Sequence, residues 1–185
     1  MARKSQRPLY SFFPLWVSPP PWVSQLSRIF ADHGDEIRQH SESSMETSGK
    51  FSSNQVLAIV RPALVEMGFL VEGSSPETSS IFRPVFFGRS GEHDLQYRID
   101  AYHPTLKIGL EVERGRAWQG NAIYRDIVQM SLIVDMDYAA VAVPEEYHYS
   151  RSVNRTFEEC EKVLRAIYGG QRLRLPFKGF LLIAY

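Results

Sequence analysis

Apolar positions recur along the chain with two different periods, and the switches between them lay out the elements. Over residues 21–37, Val23, Leu26, Ile29 and Phe30 share one face of a helix. A second helix is predicted over residues 53–68, with Ser53 as N-cap and Gly68 as C-cap. Val56, Ile59, Val60, Ala63, Leu64 and Met67 follow its 3.6-residue period, and Pro62 predicts a kink. Strand-like runs follow at 69–72, 81–87, 96–102 and 107–113, the last two flanking the turn-like His103-Pro104-Thr105-Leu106. Residues 121–134 read as a helix with apolar side chains nearly all round, hence largely buried. Residues 138–143 form an apolar strand stopped by Pro144. A helix opening near Ser150 or Ser152 places Val153, Phe157, Cys160, Leu164 and Ile167 on one face and ends at Gly169-Gly170. A strand over 179–184 closes the series.

A meander of strands, a buried crossover helix and a further apolar strand predict an α/β fold: a mixed sheet with helices on both faces. Residues 39–54 and 73–80 are rich in Ser and read as flexible. The chain therefore divides into an N-terminal extension over 1–52, with one helix and a linker, and a core over 53–185. Within the extension, Arg3, Lys4 and Arg7 precede an apolar run over 9–17 that loosely mimics a signal peptide. Ser11 and Pro14 interrupt the run, which is too short to span a bilayer, so no membrane association is expected. Its aromatics, Tyr10, Phe12, Phe13, Trp16 and Trp22, are expected to pack on the domain; the alternative is a partner-binding segment.

Composition narrows the classes. The 185 residues are 44% hydrophobic and 23% charged, suited to one globular core. Twenty-one basic and 21 acidic side chains cancel, which argues against non-specific nucleic-acid binding but leaves room for a local basic groove. Cys160 is the one cysteine, so neither a disulfide nor a Cys-based zinc site can form within the chain, and a cytoplasmic setting fits.

The informative stretch runs from Tyr97-Arg98-Ile99-Asp100 to Leu110-Glu111-Val112-Glu113. Strand alternation puts Glu111 and Glu113 on one face, and Leu110 and Val112 on the other. A hairpin centred on Pro104-Thr105 sets Asp100 opposite Gly109, diagonal to Glu111, with Gly109 leaving the patch open. Three carboxylates then converge on one area, and a hard divalent ion relieves their repulsion. Magnesium, with manganese as substitute, is the expected cofactor. The alternative is a solvated sheet edge balanced by Arg98, Lys107 and Arg114.

At these residues the chain resembles the PD-(D/E)XK nuclease superfamily, over about residues 53–145. The resemblance implies a restriction-endonuclease-like fold and a magnesium-dependent endonuclease that hydrolyses DNA, such as a restriction or defence nuclease. It implies that Asp100 and Glu111 bind the metal and that Val112 adds its backbone carbonyl. Glu113 stands where the family pattern has Lys, which makes it a general base or second-metal ligand instead. Glu66, Arg125 and Gln129 are the supporting residues it suggests, with Asp126 beside Arg125 at helical spacing. Arg98, Lys107, Arg114 and Arg116 are expected phosphate contacts, with Arg83 and Arg89 further off. DNA is the expected partner, and a homodimer fits cutting of both strands. The missing Lys and the neutral charge support a second reading: an inactive nuclease-fold protein that binds nucleic acid or a protein partner.

Other chemistries find no footing. His33, His40, His93, His103 and His148 lack the spacing of a helical zinc pair. There is no G-x-S-x-G elbow and no phosphate-binding P-loop. Cys160 lies on the apolar face of a helix and is expected in the core.

Overall fold

The computed structural model describes residues 8–48, 52–114, 121–149, 152–170 and 172–185. Along the chain, β1 (Tyr10–Phe13) precedes α1 (Pro21–Ser48), α2 (Ser53–Glu66) and β2 (Leu70–Val71). The hairpin β3 (Ile81–Phe87) and β4 (His93–Ile99) comes next, then β5 (Ala101–His103), β6 (Ile108–Val112) and α3 (Ala122–Ser131). β7 (Tyr138–Val143), the short β8 (Tyr147–Tyr149) and β9 (Ser152–Asn154), α4 (Thr156–Gly170) and β10 (Gly179–Ala184) complete the described elements.

Six strands form one mixed sheet in the order β1-β10-β7-β6-β5-β2. β6, β7 and β10 run parallel, while β1, β2 and β5 pair antiparallel. Side-chain alternation then builds two cores. Ile108, Leu110, Val112, Ala140 and Ala142 face Val23, Leu26 and Phe30 of α1 and Val56, Val60 and Leu64 of α2. Val141, Val143 and Leu182 face Ile123, Ile127 and Met130 of α3 and Phe157, Cys160 and Leu164 of α4. The protein is thus α/β, with helices on both sheet faces. No described helix is long and apolar enough to cross a membrane.

The N-terminal aromatics divide. Phe12 and Phe13 are buried because β1 pairs with β10, and Trp22, in the first turn of α1, is buried against Phe12 and Tyr138, while Trp16 is 70% exposed. The expectation that residues 39–54 are flexible is corrected: α1 continues to Ser48, well past the expected end at 37. The stretch is polar but holds no Gly or Pro before Gly49, and polarity alone does not break a helix. α2 starts at Ser53, with Ser52 and not Ser53 as its N-cap, the Ser52 amide donating to Gln55 Oε1 at 2.8 Å. It runs through Pro62, which is exposed, so the carbonyl that loses a donor can meet water. Residues 73–80, also read as flexible, are closed by hydrogen bonds such as Gly73 N to Thr78 O at 2.7 Å and Ser75 N to Thr78 Oγ1 at 2.9 Å.

The expected single strand over 96–102 is two strands in two sheets. β4 pairs with β3 in a separate hairpin, and β5 joins the main sheet. Asp100 is the corner between them, its carbonyl accepting from Glu72 N at 2.9 Å.

Candidate functional site

The β5–β6 register pairs Ala101 with Leu110, Tyr102 with Gly109 and His103 with Ile108. Carried one step further, it sets Asp100 across from Glu111. This corrects the expected pairing of Asp100 with Gly109; the turn spans 104–107, with Lys107 at φ 53, and shifts the register by two residues. The shift keeps the faces but tightens the contact. Nor does Gly109 leave an open patch: an added Cβ would lie 2.2 Å from Met136 Cε and 2.6 Å from Ile99 Cδ1. The space is filled by those two side chains.

Because β5 stops at Ala101, its neighbour's amide at Val112 needs another acceptor. Asp100 Oδ2 supplies it at 2.8 Å. The structure thus engages the Val112 N–H, where the family pattern uses that residue's carbonyl. The Asp100 and Glu111 carboxyls face each other closely enough for each to perturb the other. Glu111 lies on the α3 face of the sheet, where burial first, and then the charges of Asp100 and Asp126, hold its carboxyl well above the usual range. Burial likewise raises Asp100, against the lowering effect of the Val112 amide. Gln129 Nε2 donates to the Arg98 carbonyl at 2.7 Å and reaches Glu111 Oε1 at 3.4 Å.

Glu113 follows β6 and is pinned at its backbone. Its amide donates to Ala142 O at 2.8 Å, and its carbonyl accepts from Tyr185 Oη at 2.6 Å. Its carboxylate takes a charge-assisted bond from Arg125 Nη2 at 2.5 Å and faces Asp126. Burial and the Asp126 charge raise it to about 7, against the lowering effect of Arg125. Asp126 is buried; its Oδ1 accepts from Arg125 Nε at 3.0 Å and Nη2 at 2.9 Å, while its Oδ2 has no hydrogen-bond partner among the described residues. The three acids expected to converge therefore sort into two carboxyl pairs, Asp100–Glu111 and Glu113–Asp126.

A cavity of about 450 Å³ opens over the first pair, walled by Glu72, Arg98, Arg125 and Asp126. Arg98 ion-pairs with Glu72, which is 8% exposed. Of the supporting residues expected, Arg125 and Gln129 line this cavity. Glu66 does not: it is exposed at the last turn of α2, and Asn54, at the first turn of the same helix, reaches the cavity instead. Among the expected phosphate contacts, Arg98 borders the cavity. Lys107 is exposed at the opposite end of β6, and Arg114 turns toward α1, donating to Ser41 Oγ at 3.3 Å. Arg116 lies outside the described residues. Arg83 is engaged with Asp135 and the Tyr102 ring. Glu72 and Asn54 were not legible as site residues: each sits in a run dominated by its neighbours' turn or capping signals.

The donor set is all oxygen, suited to a hard cation. Asp126 Oδ2, buried and without a hydrogen-bond partner among the described residues, is an acceptor that a proton or a cation must satisfy. Among the described residues, however, no group of three or more His, Cys, Asp or Glu stands as a metal-holding cluster. Asp100 and Glu111 together offer two carboxylates, the usual protein share for magnesium when waters and substrate phosphate complete the shell. Compared with known proteins, the chain matches no family model, no curated protein and no solved structure.

Proposed function

We propose that the protein is a metal-dependent endonuclease that hydrolyses DNA phosphodiester bonds, with a restriction-endonuclease-like core. The observation that carries this reading is the Asp100–Glu111 pair: two carboxyls opposed at a sheet corner, under an open cavity, with buried guanidinium-paired acids beside it. In this reading Asp100 and Glu111 would hold magnesium through their carboxylates. When bound, magnesium polarises the scissile phosphate and lowers the pKa of attacking water. Glu113, raised to about 7 and held by Arg125 at the edge of the cavity, would serve as the general base at neutral pH. Arg125 places its guanidinium on Glu113, so the positive charge that the family pattern carries at position 113 comes here from α3. Arg98 and Arg125, with side chains 56% and 64% exposed, flank the cavity where a phosphate would sit.

One observation favours the alternative, a nuclease-fold protein without catalysis. Arg125 already engages both the Glu113 carboxylate and Asp126 Oδ1, which occupies the two acids beside the cavity. Magnesium-dependent nicking of supercoiled plasmid separates the two. The expected result is cleavage by the wild type, abolished by EDTA and reduced at least a hundredfold by Glu111→Ala. Retention of DNA in gel shifts with no cleavage in magnesium or manganese supports the inactive reading and removes the first.

A further inference from the structure

Helix α3 presents two faces to the candidate site. Arg125 and Gln129 turn toward the acidic cavity, and they also line a second groove of about 510 Å³ with Tyr97, Tyr124, Val128 and Leu132. The two spaces therefore adjoin, with this pair of side chains between them. Tyr124, Val128 and Leu132 stand at i, i+4 and i+8, so they form one stripe on the helix. They are 45%, 58% and 45% exposed, an unusual outlay of apolar surface for a helix that otherwise packs in the core. Tyr97 closes the far wall from β4. It neighbours Arg98 in sequence, so the strand's alternation sends the arginine to the acidic cavity and the tyrosine to the groove. Asn121 and Gln129 add amides at the rim.

Two phenol rings, two aliphatic side chains and two amides, beside an acidic cavity of about 450 Å³ bordered by two arginines, match the chemistry of a nucleobase: a flat apolar face with a polar edge. We propose that this groove seats an unpaired base of the substrate strand, so that the preferred substrate is single-stranded DNA or a locally opened duplex. The proposal rests on the nuclease reading for the phosphate half of the site. A base held in a duplex keeps its face stacked on its neighbours and cannot enter the groove without being flipped out. The phosphate on the 3′ or 5′ side of the seated base then lies toward Arg125, at the border of the two spaces.

The test is anisotropy of the full chain with a fluorescein-labelled twelve-residue thymidine strand, in calcium to hold cleavage in check. Two comparison ligands are the blunt duplex containing that strand and a tetrahydrofuran backbone of equal length lacking every base. The single strand is expected to bind about tenfold more tightly than either. Tyr124→Ala is expected to weaken the single strand by about tenfold while leaving the base-free backbone unchanged, and Tyr124→Phe to restore binding. Unchanged thermal midpoints show that both variants fold. Equal binding of base-free and base-bearing strands, tighter binding of the duplex, or an equal loss on both strands in Tyr124→Ala overturns the groove assignment. Base-dependent binding without magnesium-dependent cleavage leaves the groove standing and removes the nuclease reading. Cleavage with base-independent binding does the reverse.

Discussion

Gly109 is the point where packing and the candidate site meet most directly. It lies opposite Tyr102 in the β5–β6 ladder, two residues before Glu111, and a Cβ there would come within 2.2 Å of Met136 Cε, 2.7 Å of its Sδ and 2.6 Å of Ile99 Cδ1. Ile99 and Met136 are 1% and 5% exposed, so neither can swing into water. Gly109→Ala therefore overpacks the core and is expected to cost about 1–3 kcal/mol. For a chain of this size that lowers the thermal midpoint by roughly 2–4 °C per kcal/mol, readable by circular dichroism. Met136→Ala removes the closest atoms but leaves a cavity, at a cost of about 2–5 kcal/mol. In Gly109→Ala/Met136→Ala the new methyl enters that cavity, so the double variant should be less destabilised than the sum by about 1–2 kcal/mol. Ile99 precedes Asp100, so the single glycine variant should also reduce cleavage, and the double variant should recover part of it. Strict additivity of the two stability losses would refute the steric reasoning.

Two further expectations concern protons. Glu113 has its folded-state pKa raised from 4.5 to about 7, so the folded protein holds a proton that the unfolded chain has lost between those values, and stability falls as pH rises through that window. The full shift corresponds to about 3 kcal/mol, and partial exposure with screening brings it to roughly 1–2 kcal/mol. Glu113→Gln should therefore gain about that much relative to wild type between pH 5 and pH 8 in urea melts, and a gap that is equal at the two pH values contradicts the assignment. Asp100 and Glu111 are both raised above the usual carboxylate range, chiefly by burial, so magnesium bound to them would displace protons and its affinity should rise with pH as those carboxyls ionise. Titration calorimetry in buffers of different ionisation heat measures the release directly, and a heat independent of buffer rules out these two acids as the ligands.

Much of the architecture was legible because it rests on periodicity. The apolar run ending at Pro144 gave β7 with its observed bounds, and residues 179–184 gave β10, since strands buried on both faces carry an unbroken apolar signal. Two errors have one cause, the weighing of composition over hydrogen-bonding capacity. Residues 39–48 were polar enough to read as linker yet contain nothing that stops a helix, and residues 73–80 were Ser-rich yet supply the side-chain acceptors that close a turn. The break at Asp100 was illegible for a different reason. Gln96 to Tyr102 alternates as one strand, and only the pairing of Ile81 with Ile99 on one side and Leu110 with Ala101 on the other divides it between sheets.

That break is also what makes the acidic pair. In a continuous strand an aspartate at position 100 would have its backbone in the ladder and its side chain free. At the corner the ladder is interrupted, the Val112 amide is left without a backbone acceptor, and the Asp100 carboxylate turns in to meet it beside Glu111. α3 then covers the pair from the same face with Gln129 and Asp126, because Glu111 and Val141 share the side of the sheet on which α3 packs. Reading α3 as largely buried captured Ile123, Ile127 and Met130 but missed its second apolar stripe. Tyr124, Val128 and Leu132 follow the same 3.6-residue rule and face the groove instead of the core. Periodicity reports that a face is apolar, not what covers it. On a helix apolar nearly all round, the surplus stripe is where a ligand's own apolar surface has to be sought.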